Sequence, residues 1–172
     1  KQAKVIHIEI DPSEVDKNGK ADAPVVGDAK AALKALLPLV KKADHSAWRA
    51  EFKKYDDEEY DKITKKDLFH EGNQIKMGEA VALLSDKTKG EAVVVTDVGQ
   101  HQMITNRYYR FKKQNSIVTS GGAGTMGFAL PAAFGAKVAL PHREVVAVIG
   151  DGGFQMTLQE LGTIAQSGLP VK

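Results

Sequence analysis

Apolar positions along the chain alternate between short β-branched runs and stretches spaced for helices. Val5, Ile6, Ile8 and Ile10 make a short strand, and Asp11-Pro12 ends it because the residue before a proline is pushed out of the helical region. From Asp28, placed as an N-cap, Ala32, Leu33, Leu36, Leu37 and Val40 recur at helical spacing and predict one amphipathic helix to about residue 43. Strand, long loop and helix read as the closing piece of an α/β unit.

The pattern then changes. Residues 41–67 carry eight basic and eight acidic side chains with Trp48, Phe52, Tyr55 and Tyr60 interleaved, which reads as a solvated connector with a helix over residues 46–54. A second unit follows. It is predicted as a helix over 75–87 with Ala80, Val81 and Leu84 inward, a strand over 92–98, a helix from about His101 and a strand over 117–119. After a glycine-rich turn come a helix over 128–140, a strand over 145–149 and a helix over 156–166. Leu169-Pro170-Val171 looks like the approach to another strand. The expected organisation is therefore the end of one domain (1–44), a charged connector (45–70) and the first part of another domain (71–172). The fold class is α/β, with a parallel doubly wound sheet.

Composition narrows the function classes. With 24 basic and 22 acidic residues and no basic stripe, nothing points to nucleic acid. The absence of cysteine excludes disulfides, thiol catalysis and Cys-based zinc sites, and it suits a reducing, cytoplasmic compartment. No apolar stretch approaches the roughly 18 residues of a membrane span, and no signal peptide precedes Val5. The expectation is a soluble protein.

Three predicted strand ends carry unusual residues, and a parallel sheet gathers such ends along one edge, where open α/β sheets bind ligands. After Val98 comes Gly99-Gln100-His101-Gln102-Met103. After Thr119 comes Ser120-Gly121-Gly122-Ala123-Gly124-Thr125-Met126-Gly127. After Ile149 comes Gly150-Asp151-Gly152-Gly153. Glycines without a Cβ let backbone amides approach phosphate oxygens, and the following helix points its positive end at the same spot. One hard carboxylate beside a diphosphate is how Mg2+ is usually held. Each segment alone is also compatible with a plain turn. His101 has two readings as well, a catalytic base or a neutral donor to phosphate, and no acid or nucleophile lies beside it in sequence.

Taken together, TDVGQHQM (96–103), TSGGAGTMGFALP (119–131) and GDGGFQMTLQEL (150–161) resemble the catalytic subunit of acetohydroxyacid synthase, also called acetolactate synthase, a thiamine-diphosphate enzyme family. Residues 5–28 (VIHIEIDPSEVDKNGKADAPVVGD) resemble the end of that family's central, FAD-binding domain. The resemblance implies that Asp151 coordinates Mg2+ and that the amides of Gly152 and Gly153, after Gly150, face the diphosphate. Gln100 and His101, with backbone from Val98 and Gly99, would hold it from the other side. Gly124 and Met126 would serve the aminopyrimidine through backbone groups, with the Met126 side chain as the wedge that bends the cofactor. Methionine between small residues is also an ordinary packing residue. Glu9 and Asp28 match positions near the FAD ribose and adenine, and Asp28 is equally explained as a helix cap.

The implied reaction decarboxylates pyruvate and joins it to a second 2-keto acid, pyruvate or 2-ketobutyrate, in branched-chain amino-acid biosynthesis. The implied assembly is a homodimer or homotetramer of catalytic subunits with a small regulatory subunit. The chain departs from the family pattern in three places. The Asn that completes the Mg2+ site, the glutamate that protonates the aminopyrimidine and most of the flavin domain have no counterpart in it. The expectation is a fragment that lacks a catalytic residue of its own. Another carboligase of the superfamily (glyoxylate carboligase or a catabolic acetolactate synthase without FAD) and an inert fragment serving as an assembly surface remain as alternatives.

Overall fold

The computed structural model describes residues 3–69 and 71–172; His70, the last residue of the expected connector, lies outside them, as do Lys1 and Gln2. The chain divides into two compact units, Lys1–Phe52 and Lys53–Lys172.

In the first unit, the predicted strand forms as β1 (Ile6–Glu9). The segment expected to be a long loop contains a second strand, β2 (Ala23–Val26), parallel to β1 and in register from Ile6↔Ala23 to Glu9↔Val26. The local polar pattern hid it, because β2 is exposed and carries a proline at its second position. Pro24 is tolerated there because an edge strand can leave an amide out of the ladder. The connection closes through side chains: Val5 N donates to Asp22 Oδ2 at 2.7 Å and Ala21 N to Asp16 Oδ1 at 2.7 Å. Asp28 then caps α1 (Ala29–Leu36), accepting from Ala31 N at 2.9 Å. The helix ends well short of residue 43. Pro38 cannot donate to a continuing helix, and the chain tightens into a 3-10 turn at Leu37–Leu39. Leu33, Leu36, Leu37 and Val40, whose helical spacing predicts one amphipathic helix, stand exposed.

The charged stretch is more helical than its composition suggested. α2 (Ser46–Glu59) runs on through a π-helical turn at Tyr60–Thr64 into α3 (Lys65–Leu68), and the boundary between the two units falls within α2. Within the second unit this arm is fastened by an ion pair from Arg107 to Glu59 and by Tyr108 Oη, which donates to Asp67 Oδ2 at 2.6 Å. Burial, together with the Asp67 carboxylate, pushes the Tyr108 phenol above its ordinary pKa.

The rest of the second unit follows the predicted alternation: α4 (Met77–Lys87), β3 (Val93–Thr96), α5 (Gln100–Tyr108), β4 (Ile117–Thr119), α6 (Ala129–Ala139) and β5 (Val145–Val148). β3 lies between β4 and β5, parallel to both. Its run of β-branched valines fits a strand covered on both faces. Val93 and Val95 pack with Val145 against Ala129 and Ala133 of α6, whereas Val94 packs with Val81 of α4 and with Tyr108 and Tyr109. Each fully buried valine contributes about 1.5–3 kcal/mol by leaving water. The helix expected over 156–166 is two helices, α7 (Asp151–Met156) and α8 (Glu160–Ser167), because the helical turn begins at Asp151 itself and breaks after Met156. Beyond α8, Lys172 N donates to Val145 O at 3.0 Å and Ala147 N to Lys172 O at 2.7 Å, a parallel ladder begun on the outer edge of β5. Among the described residues no helix is long and apolar enough to cross a membrane.

Two glycines test this packing in opposite directions. Gly90, in the turn before β3, has φ +68°, and a Cβ there would stand 2.1 Å from Arg110 O. Gly90→Ala should therefore destabilise by more than the roughly 1–2 kcal/mol of the left-handed penalty alone. Gly135, inside α6, has open space around its would-be Cβ. Gly135→Ala should stabilise by about 0.4–1 kcal/mol. Thermal unfolding of the two variants beside the unsubstituted chain checks both signs.

Candidate functional site

The carboxyl ends of β3, β4 and β5 lie along one edge of the sheet, and the three sequence segments singled out above follow them. The connection after β3 passes to one neighbour and the connection after β4 crosses to the other, so this edge contains a topological switch point.

The segment after β5 is held open by small residues. Gly150 is the N-cap of α7, and the first intrahelical bond after it runs from Phe154 N to Gly150 O at 2.9 Å. The amides of Asp151, Gly152 and Gly153 form the first turn, where the helix itself offers no acceptor. Asp151 is exposed on that turn, Gly152 is half-buried and Gly153 is buried.

The segment after β3 meets it through His101. Gly99, with φ +153°, leads into α5, and His101 lies in that helix's first turn. A Cβ at Gly99 would stand 2.9 Å from His101 Cε1, and one at Gly150 would stand 3.0 Å from the same atom. The imidazole therefore rests on two bare backbone segments, one from each strand end. Its Nε2 is buried and makes no hydrogen bond. An orphaned polar atom of that kind costs free energy unless a ligand meets it. Gln100 is exposed beside it and Val98 is half-buried.

The loop after β4 closes on itself: Gly124 N donates to Ser120 O at 3.1 Å and Thr125 N to Ser120 Oγ at 3.0 Å. Gly124 has φ +62° and Gly127 has φ +85°, conformations that favour glycine. Met126 is 45% exposed, so it is not a core residue. Its terminal methyl lies 3.3 Å from where a Cβ of Gly152 would stand, which places this side chain over the first turn of α7. Thr119, at the end of β4, accepts from Thr96 Oγ1 at 2.8 Å and from Gln102 Nε2 at 2.7 Å, tying α5 to the same edge.

The structure thus brings Gly99, His101, Met126, Gly150, Gly152 and Gly153 together, with Val98, Gln100, Gly124 and Asp151 on the adjoining turns. A residue that sequence reasoning gave no role stands at their centre. Asp97, with no exposed surface, accepts from Val98 N at 2.8 Å and Gly127 N at 3.1 Å through Oδ1, and from Ala129 N at 3.0 Å through Oδ2. The available signal was a charged residue directly after a run of buried valines, a position where an unpaired carboxylate would be costly.

An anionic, metal-bound ligand fits this set of groups: free first-turn amides, a buried imidazole nitrogen without a partner and a carboxylate at the rim. Among the described residues no three His, Cys, Asp or Glu side chains converge as a metal site, so Asp151 would supply only part of a coordination shell.

Glu9 and Asp28 belong to the other unit and lie at the carboxyl ends of β1 and β2, where Gly27 N donates to Glu9 O at 2.9 Å. Glu9 Oε1 accepts from the amides of Ile10 and Asp11, and Asp28 is engaged as the α1 cap.

Residues 97–172 match the thiamine pyrophosphate enzyme, C-terminal TPP binding domain, and residues 1–36 match the thiamine pyrophosphate enzyme, central domain. The chain is 44% identical to the acetolactate synthase large subunit of Lactococcus lactis subsp. lactis (strain IL1403) over 173 residues, covering 100% of this chain and 29% of that protein. It is 42% identical to the acetolactate synthase isozyme 3 large subunit of Escherichia coli (strain K12) over 184 residues, covering 98% of this chain and 30% of that protein. With acetolactate synthase 1, chloroplastic, of Nicotiana tabacum it shares 39% over 183 residues, covering 99% of this chain and 26% of that protein. The chain thus spans between 26% and 30% of the length of these relatives. With both of its domain types matched and its whole length aligned, the chain belongs to the acetolactate synthase large-subunit family of thiamine pyrophosphate enzymes.

Proposed function

We propose that this chain supplies the diphosphate-binding part of an acetolactate synthase. In that enzyme pyruvate is decarboxylated and condensed with a second 2-keto acid, pyruvate or 2-ketobutyrate, to give acetolactate or acetohydroxybutyrate for branched-chain amino-acid biosynthesis. The observation that carries the reading is the His101 imidazole, seated on Gly99 and Gly150 with a buried, unpartnered Nε2, beside the free amides at the start of α7.

Thiamine diphosphate, when bound, supplies the electron sink for decarboxylation and carbon–carbon bond formation. The chain's own residues supply position and charge. Asp151 holds Mg2+ at the helix start, and the amides of Gly152 and Gly153 meet diphosphate oxygens that the helix dipole favours. His101 offers Nε2 to the same group from the β3 side, with Gln100 and the backbone of Val98 and Gly99 beside it. Gly124 and Met126 face the aminopyrimidine, and the Met126 side chain gives that end of the site its shape. In the first unit, Glu9 and Asp28 mark the strand ends proposed to face FAD. Asp28 does so only in addition to capping α1. The proposed setting is a cytoplasmic assembly of two or four catalytic chains with a small regulatory subunit, and the large-subunit names of the relatives support a regulatory partner.

The direct test uses a full-length large subunit carrying this segment. It should form acetolactate from pyruvate only when thiamine diphosphate and Mg2+ are both present, and cofactor-independent turnover would overturn the reading. Asp151→Asn keeps the shape but removes the charge a hard cation favours, so it should weaken Mg2+-dependent cofactor binding and leave thermal unfolding unchanged. Unaltered metal dependence would reduce Asp151 to a turn residue. Met126→Ala should lower turnover with little loss of stability, because the side chain is half exposed, and Met126→Leu should restore much of the rate. A stability loss of about 2–5 kcal/mol, as large-to-small core changes give, with normal turnover per folded molecule would show that it merely packs.

A further inference from the structure

Asp97 is fully buried at the centre of the cofactor-facing groups and lies against the backbone of each of the three segments that carry them. Oδ1 accepts from Val98 N and Gly127 N, and Oδ2 accepts from Ala129 N, the first residue of α6. The residue before Ala129, Phe128, caps α6 with no side-chain hydrogen bond of its own, so the capping acceptor comes from the end of β3 instead. On its remaining side the carboxylate abuts α7: a Cβ at Gly153 would stand 2.6 Å from Asp97 Oδ1 and 2.8 Å from its carboxyl carbon. The loop and α7 meet a second time, where Thr157 Oγ1 donates to Gly127 O at 3.1 Å and a Cβ at Gly127 would stand 3.1 Å from Met156 Cβ.

We infer that Asp97 is a positioning residue for the cofactor site, fixing the gap between the pyrimidine loop (residues 120–127) and the diphosphate turn at the start of α7. The inference rests on the function proposed above. A buried carboxylate needs several donors at once, and here two of the three are the amide of Gly127, whose φ is +85°, and the amide of Ala129 two residues on. Their directions are thereby set. Gly127 follows Met126 directly, so the bond that fixes its amide also fixes where the Met126 side chain crosses Gly152. From the other direction, contact of Gly153 with the same oxygen determines how close α7 can come. A cofactor spanning the two segments would have the distance between its ends set by one carboxylate that it never touches.

The test uses the full-length large subunit carrying this segment, with thiamine diphosphate binding measured by calorimetry in excess Mg2+ and turnover measured separately. Asp97→Asn preserves volume but turns an amide group toward amide donors. It should weaken thiamine diphosphate binding by about tenfold or more, as losing a charge-assisted buried bond does, and raise the half-saturating cofactor concentration. The KM for pyruvate should stay near its unsubstituted value. A lower unfolding temperature with unchanged cofactor affinity per folded molecule would overturn the inference and leave Asp97 a purely structural residue. Should Asp97→Asn fail to fold, Gly127→Ala decides, since a side chain at φ +85° and 3.1 Å from Met156 Cβ displaces the amide that Oδ1 accepts while Asp97 keeps its charge: weakened binding supports the inference and unchanged binding overturns it. An unsubstituted protein that binds no thiamine diphosphate would overturn the function proposed above, and this inference with it. Normal binding by that protein and by both variants would overturn the inference alone.

Discussion

A carboxylate removed from water must be surrounded by donors, and most features of the second unit's functional edge follow from meeting that requirement at Asp97. Three amides from three consecutive structural contexts converge on it: its own turn, the loop after β4 and the first turn of α6. The requirement explains why Gly127 adopts a left-handed conformation, why Gly153 has no room for a side chain and why α6 begins without a capping residue of its own. Breaking such an arrangement from one side leaves the charge buried and unpartnered, which costs more than any one of its bonds contributes.

The parallel sheet makes this convergence inevitable in direction, though not in detail. β3 is covered on both faces, by α6 on one and by α4 and α5 on the other, so whatever follows Thr96 emerges at the middle of the sheet edge between two flanking strand ends. His101 uses that placement. Its ring spans from Gly99 to Gly150, so one side chain reads the positions of two strand ends. The site accordingly rests on main-chain geometry more than on long side chains, which suits a ligand whose charge lies in phosphate oxygens.

Much of the second unit was legible because its buried elements carry strong periodic signals. The β4 bounds were matched at both ends, and β3, β5, α4 and α6 formed where β-branched runs or helical spacing placed them. Errors fell where the local signal was weak or ambiguous. The four residues of β2, one of them a proline, are all exposed, so its sequence reads as loop and only pairing with the parallel β1 defines it as a strand. The apolar spacing of Leu36, Leu37 and Val40 overrode Pro38, whose backbone chemistry in fact ended α1. For the site, the glycines and His101 were visible as motif residues, but Asp97 was not singled out. Two of its three partners lie thirty and thirty-two positions away, and no local pattern encodes a bond to Gly127 or Ala129.

Four carboxylates at strand ends show how environment, and not residue type, divides their work. Glu9 accepts from the two amides that follow it and Asp28 from the first turn of α1, so both are largely occupied with shaping the backbone that presents them. Asp97 is the extreme case, wholly enclosed by amide donors and the glycine backbone of α7. Asp151 differs because it stands exposed on the first turn of a helix whose own amides point outward. A hard cation needs a carboxylate with free lone pairs and access to water for the rest of its coordination shell, and of the four only Asp151 combines exposure with a neighbouring anion cradle. The buried aspartate is therefore the one placed to set the frame and the exposed one the one proposed to face the ligand, although both follow a parallel strand by only a few residues.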